Sequence, residues 1–251
     1  MPTDTHRLRI TFAKGEAIKY TSHLDLARAW ERSLRRAGVN LAYSGGFNPR
    51  PKLQLAAALP LGHTGEAELL DVWLEESVRS GGAGEQGSRG AREQWSSEAV
   101  DGFARALVPV LPDGLMIRQV CQVRLKEPAL QTLVSAAEYR VTVEWCPEPV
   151  EGWDESAEQI EARIEQVLAA TELPQERRGR RYDLRPLIER LWLERCPGLV
   201  EGQAGGGEVV LGMQLAARAG ATARPEAVLE VLGMGGAFAH YHRRRLLATA
   251  G

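Results

Sequence analysis

The sequence predicts an α+β fold made of two tandem ferredoxin-like (βαββαβ) halves. Three observations predict it. Segments with an apolar residue at every second position alternate with segments whose apolar residues recur every three to four. The order strand, helix, strand, strand, helix, strand can be written twice along the chain. A length of 251 residues lets each half bury a core of its own. The halves are placed at 1–133 and 134–251, with a flexible Gly/Ser-rich insertion over 80–92. No residue-level repeat relates them, so the pairing rests on architecture.

In the first half, His6 to Lys14 puts Leu8, Ile10 and Phe12 on one face and Arg7, Arg9 and Thr11 on the other, a strand with one wet side. Ser22 is placed to cap the following helix, with Asp25 three residues on. From Leu24 to Ala37, Leu26, Ala27, Trp30, Leu34 and Ala37 share an arc of about 100°. Arg28, Arg32, Arg35 and Arg36 share the opposite one. Asp25 can pair with Arg28 and Glu31 with Arg35, which leaves Arg32 and Arg36 without an evident partner. Gly38 stops the helix.

Tyr43 to Lys52 (YSGGFNPRPK) cannot be helical. Gly45 and Gly46 permit positive φ, while Pro49 and Pro51 hold Asn48 and Arg50 extended. Leu53–Leu59 and Ala67–Glu75 form a hairpin, with Leu70, Val72 and Leu74 inward and Asp71, Trp73 and Glu75 outward. Ser96 to Val108 is a helix with Ala99, Phe103, Ala106 and Leu107 on its core face. Pro112-Asp113-Gly114 turns the chain into a strand over Leu115–Lys126. Strict alternation there sets Ile117, Cys121 and Leu125 against Met116, Val120 and Arg124.

The second half repeats the order. Glu138–Trp145 is a strand and Ser156–Ala170 a helix with Ile160, Ile164, Val167 and Leu168 inward. Asp183–Ile188 is a turn or short helix. Glu189–Glu194 and Val209–Ala217 make a hairpin across Gly202–Gly207. Pro225 opens a helix over Glu226–Leu232, and Phe238–Leu247 is the closing strand.

Composition excludes several classes. No apolar run reaches the ~18 residues of a membrane span, and MPTDTHRLRI has no apolar core of a secretory signal. Three cysteines give no disulfide framework, so the expected compartment is the cytoplasm. The net charge of −2 hides a segregation. Residues 1–52 carry ten Lys/Arg against four Asp/Glu, a net of +6, and residues 53–101 carry three against nine, a net of −6. Such a chain can offer one attractive face to phosphate while staying near neutral as a whole.

The basic helix face and the loop are therefore the candidate RNA-binding surface. Arg28, Arg32, Arg35 and Arg36 would meet phosphate, and Ser44, Phe47, Asn48, Arg50 and Lys52 would contact nucleotides by stacking, amide contacts and charge. The plain alternatives are a solvated helix face and a structural turn with Phe47 tucked into the core.

Ser22-His23-Leu24-Asp25, Arg35-Arg36-Ala37, Tyr43-Ser44, Gly46-Phe47-Asn48-Pro49 through Pro51-Lys52, and Ala58-Leu59-Pro60-Leu61-Gly62 together resemble the radical-SAM-associated (radical-SAM-linked) protein family, a bacterial domain of unknown function. Asp183-Leu184-Arg185-Pro186 and Ala223-Arg224-Pro225-Glu226 match its second half. Arg243-Arg244-Arg245 departs from the Arg-Thr expected in the last strand. The resemblance implies a non-catalytic accessory protein working beside a radical SAM enzyme in RNA modification, because family members are fused to or encoded beside such enzymes, often near a ribonuclease E/G gene. It transfers no catalytic residues.

The chain's own residues do not supply radical chemistry. Cys121, Cys146 and Cys196 are too far apart for a cluster motif, so the iron–sulfur cluster and SAM would belong to the partner. His240 and His242 share a strand face but have no nearby carboxylate or thiolate in sequence, so no metal is expected. His23 is the candidate for a metal-independent ribonuclease or RNA-modifying enzyme using general acid–base chemistry. Its place on the apolar side of the helix equally suits a structural role. A third reading makes the basic helix a protein-interaction module docking on the radical SAM partner.

Overall fold

The computed structural model describes residues 5–75, 95–144, 157–195, 208–218 and 220–248. It is mixed α and β, with mostly antiparallel strand pairing and five α-helices among those residues. Contacts group the chain into two units, 1–60 with 67–130, and 61–66 with 131–251. The expected insertion at 80–92 and the glycine tip at 202–207 lie outside the described residues, as do Cys146 and Cys196.

In the first unit, β1 (Thr5–Lys14) leads to α1 (His23–Arg36), β2 (Leu53–Leu55), β3 (Thr64–Glu75, of which 64–66 belong to the second unit), α2 (Ser97–Leu107) and β4 (Leu115–Val123). The strands lie in the order β2-β3-β1-β4. Leu8, Ile10 and Phe12 pack on Leu26, Trp30 and Leu34 of α1 and on Leu70, Val72 and Leu74 of β3. Phe12 meets Trp30 edge to face at 5.0 Å, the geometry that ring quadrupoles favour.

Four expectations are corrected in this unit. The outer face of β1 is not wet at Arg7. This residue is 2% exposed, and its guanidinium donates to Asp71, which is itself fully buried, and to the carbonyls of Glu127 and Pro128. Burial of these charges depends on their pairing across 64 residues, which periodicity cannot register. The first arm of the hairpin is strand only over Leu53–Leu55. On α2, Phe103 and Leu107 are buried but Ala99 and Ala106 are exposed, because the two large side chains fill the contact. Finally, β4 carries a bulge. Thr11 faces Gln119 while Phe12 faces Ile117, so the extra residue Arg118 resets the alternation. Ile117 and Val120 consequently pack against the same core rather than on opposite faces.

In the second unit, after the short α3 (Leu130–Leu133) at the junction, come β5 (Val134–Glu144), α4 (Ala157–Ala169), β6 (Pro174–Arg177), β7 (Arg180–Asp183), β8 (Ile188–Arg195), β9 (Glu208–Arg218), β10 (Ala221–Thr222), α5 (Pro225–Val231) and β11 (Phe238–Ala248). The main strands lie β8-β9-β5-β11, with β10 beside β9, and Thr64-Gly65 pairs in parallel with β11. Ile160, Ile164 and Val167 of α4 are buried against Val141, Leu211 and Met213 in one core cluster. The β6–β7 hairpin and β10 are additions that the sequence pattern did not predict, being too short to show a period.

The motif Asp183-Leu184-Arg185-Pro186 resolves as fold chemistry. Asp183 accepts from the backbone N–H groups of Leu173 and Arg185, at 2.8 and 2.9 Å. Arg185 donates to the carbonyl of Leu168 near the end of α4 and to that of Ile188. Carbonyls at a helix end have no intrahelical partner, and a cation is favoured there.

Candidate nucleic-acid interface

The geometry of the candidate surface starts at the entry to α1. Lys14, fully buried, donates its ammonium to the carbonyls of Lys19 and Thr21, which fixes the chain just before the cap. Ser22 Oγ accepts from the Asp25 N–H and donates to the Asp25 carboxylate at 2.7 Å. That hydroxyl, then the Arg28 guanidinium at 3.0 Å, hold the Asp25 carboxyl below the usual carboxylate range. His23 is the first residue of the helix and is half-buried.

The inner face of α1 buries Leu26, Trp30, Ser33 and Leu34, whereas Ala27 and Ala37 are half-buried. On the outer face Arg28, Arg32, Arg35 and Arg36 are all exposed. Arg28 pairs with Asp25, and Arg35 with Glu31 at 2.8 Å. Exposed pairs of this kind are screened by solvent, contribute little to stability and yield readily to a competing anion. Arg32 and Arg36 form no ion pair among the described residues.

The loop is braced at its base and open at its tip. Tyr43 bridges to Pro51, the Ser44 N–H donates to the carbonyl of Arg50, and the Arg50 N–H donates back to Ser44 Oγ. Below this clamp, Lys52 donates to Ala42, and Ala42 to Trp73 of β3. The tip, Gly45 to Pro49, is exposed throughout, with Gly46 at φ +119°. Phe47 has a relative exposure of 101%, so it is not tucked into the core. Asn48, Arg50 and Lys52 are exposed, while Ser44 and Pro51 are half-buried. The Arg35 guanidinium lies 5.9 Å from the centre of the Tyr43 ring, so the end of the basic helix and the loop meet through a cation–π contact. Tyr20, just before α1, and Leu24, in its first turn, are also exposed. The sequence pattern did not place either on the candidate surface.

Two histidines are corrected in the second unit. His240 Nε2 lies 2.8 Å from Glu144, and His242 Nδ1 lies 2.8 Å from Thr64 Oγ1 with Glu66 at 3.7 Å. Each therefore has a carboxylate neighbour, supplied by strand pairing rather than by sequence proximity. Among the described residues no group of three metal-ligating side chains forms.

A histidine that the sequence reading did not weigh, His63, is 1% exposed and lies 2.9 Å from Glu226, with its ring stacked on Tyr241 at 4.6 Å. Burial pushes the Glu226 carboxyl up, but the His63 hydrogen bond and its own backbone N–H outweigh that and hold it below its usual value. Burial, then the charges of Glu226 and Glu230, push the Tyr241 phenol up to about 12. The folded chain thus retains this proton above pH 10, where the unfolded chain begins to lose it. Stability from Tyr241 is complete below about pH 10 and is lost as pH rises towards 12. An ultraviolet titration should show one tyrosinate appearing only near that value, and Tyr241→Phe should remove that step.

A family model described as "uncharacterized protein conserved in bacteria (DUF2344)" matches residues 7–86 and 93–225, a span that takes in the basic helix, the loop and Arg224-Pro225. The chain belongs to that family. The comparison with curated proteins finds no match for this DUF2344 chain. Among solved structures it is similar to a chain of the Cbf5-Nop10-Gar1 complex, at a TM-score of 0.45 and 11% identity, over 96% of this chain and 48% of that one. It spans about half the length of that neighbour. It is also similar to an unknown protein from Galdieria sulphuraria, at a TM-score of 0.24 and 14% identity, over 98% and 100% of the two chains. Likenesses this loose carry no argument about fold or function.

Proposed function

We propose that this DUF2344 protein binds RNA through the outer face of α1 and the Tyr43–Lys52 loop, without catalysing a reaction itself, and serves a radical SAM enzyme that acts on the RNA. The iron–sulfur cluster and SAM would reside in that partner. Both units would be ferredoxin-like, a reading supported by the strand order second-third-first-fourth in each.

The observation that carries the reading is the full exposure of Phe47 on a loop closed at its base. Burying such a ring would stabilise the chain by about 1.5–3 kcal/mol, and the clamp keeps the tip from folding back to do so. A ring held in water beside exposed guanidinium groups suits an unpaired base stacked on it and phosphates along the helix. On α1, Arg32 and Arg36 are the arginines that no carboxylate pairs among the described residues.

The test is the affinity of the full chain for a labelled single-stranded RNA over a range of salt. Affinity should fall steeply with salt, and Arg32→Gln with Arg36→Gln should flatten the slope by about 0.7 for each lost contact. Phe47→Ala should weaken binding by about 1–3 kcal/mol, while circular dichroism stays unchanged. Binding that is absent or indifferent to salt would overturn the proposal. Association with the enzyme that survives nuclease and needs the same arginines would assign the surface to protein docking instead.

A further inference from the structure

The β6–β7 hairpin of the second unit carries a second cationic surface. Its tip, residues 177–181, reads Arg-Arg-Gly-Arg-Arg, four exposed arginines without an acid among them. None of the four forms an ion pair among the described residues. Arg177 faces Arg180 directly across the ribbon, and like charges in that position destabilise a strand pair. The turn adds to the cost. Arg178 has φ +52° and Gly179 φ +74°, and Arg178 is the one non-glycine residue with positive φ among the described residues. Two successive positive φ values mark the tight hairpin turn that Asn-Gly or Gly-Gly fills most readily. The chain therefore places an arginine where local geometry favours a small residue, and sets four cations together with a single acid in register, Glu176 opposite Arg181.

We infer that the Arg177–Arg181 hairpin is a contact for the phosphate backbone of RNA, distinct from the α1 surface and insensitive to base sequence. A guanidinium presents a planar fork of donors that suits phosphate oxygens, and four on a narrow ribbon can follow successive phosphates. The hairpin offers little to a protein partner. No large exposed hydrophobic side chain lies between residues 174 and 183, whereas protein interfaces draw their affinity from buried aromatic and apolar anchors. Tyr182 is the one ring nearby. It is half-buried and packed against the core, so stacking is not its task.

This inference rests on the proposal that the protein binds RNA, and the experiment separates the two. The affinity of the full chain for labelled oligouridine and oligocytidine is measured against salt for three proteins. These are the wild type, a hairpin variant (Arg177→Gln, Arg178→Asn, Arg180→Gln, Arg181→Gln) and an α1 variant (Arg28→Gln, Arg32→Gln, Arg35→Gln, Arg36→Gln). Asn suits the turn, so the hairpin should fold at least as readily. The expected result is a slope flatter by about 2.8 in the hairpin variant, at about 0.7 per arginine, and equal for both oligomers. Arg178→Asn alone should flatten it by about 0.7 without lowering the melting temperature. An unchanged slope in the hairpin variant, beside a flattened one in the α1 variant, overturns this inference and leaves the earlier proposal standing. The reverse pattern retains the hairpin and removes the α1 surface. No binding by the wild type removes both.

Discussion

Replacing Asp71 by Ala should destabilise the first unit by about 3–5 kcal/mol. The carboxylate is fully buried in the middle of β3 and serves two cations at once. Arg7 Nε donates to one oxygen at 2.8 Å, and Arg9 makes bonds of 2.8 and 3.1 Å to the pair. The Asp71 hydrogen bond is also the main reason that the Arg9 guanidinium holds its proton more tightly than usual, against the opposing effect of burial. Without Asp71, Arg7 would stay 98% buried, with its head 4.8 Å from the Trp73 ring centre and no counter-charge. Most of the cost is that abandoned charge rather than the lost attraction. Asp71→Asn, which keeps the shape and some hydrogen bonds, should cost less. Replacing Arg7, Arg9 and Asp71 together by apolar residues of matching volume should cost less than Asp71→Ala alone. Amide hydrogen exchange along β1 and β3 reads the effect, and Asp71→Ala should accelerate it by about two to four orders of magnitude, the factor that 3–5 kcal/mol implies. A triple variant as damaged as the single one would show that the ion cluster itself, not the stranded arginine, holds the sheet.

The same cluster marks where the sequence was legible. Leu8, Ile10 and Phe12, the arc of Leu26, Trp30 and Leu34, and the Ser22 cap could be read because periods of two and 3.6 record which side chains face apolar neighbours. Arg7 and Asp71 could not, because a charge is buried only when its partner arrives, and here that partner is 64 residues away. The β4 bulge was hidden for a related reason. One extra residue at Arg118 leaves composition untouched and reverses every face beyond it. On the candidate site, the arginine stripe and the rigid loop were legible from charge and from turn residues, whereas the exposure of Phe47 required the clamp between Ser44 and Arg50 to be seen. The hairpin at 177–181 did leave a signal, paired arginines either side of a glycine. Four-residue strands are too short for alternation, so a reading by period passed over it.

Gly212→Ala should destabilise the second unit by about 1–3 kcal/mol, and most of that cost should vanish in a Trp192→Thr background. Gly212 lies in β9 opposite Trp192 of β8. A Cβ built there falls 2.0 Å from Cε2 of the indole, 2.2 Å from Cζ2 and 2.3 Å from Nε1. These are ring atoms of a rigid side chain, so the indole must swing away as a whole. The move also disturbs Arg190, whose guanidinium sits 5.1 Å from the ring centre. A glycine within a strand is otherwise unfavourable, because it loses more backbone freedom on folding than alanine does, by roughly 0.5–1 kcal/mol. Two opposed terms therefore act at this position, and the clash wins only while the indole is present. With threonine at 192 the clash disappears and the backbone term remains, so Gly212→Ala should become neutral or mildly stabilising. Thermal or urea unfolding of the four proteins in the cycle measures the coupling. Equal penalties in both backgrounds would mean that the glycine is needed for its backbone geometry and not for the space its missing side chain leaves to the ring.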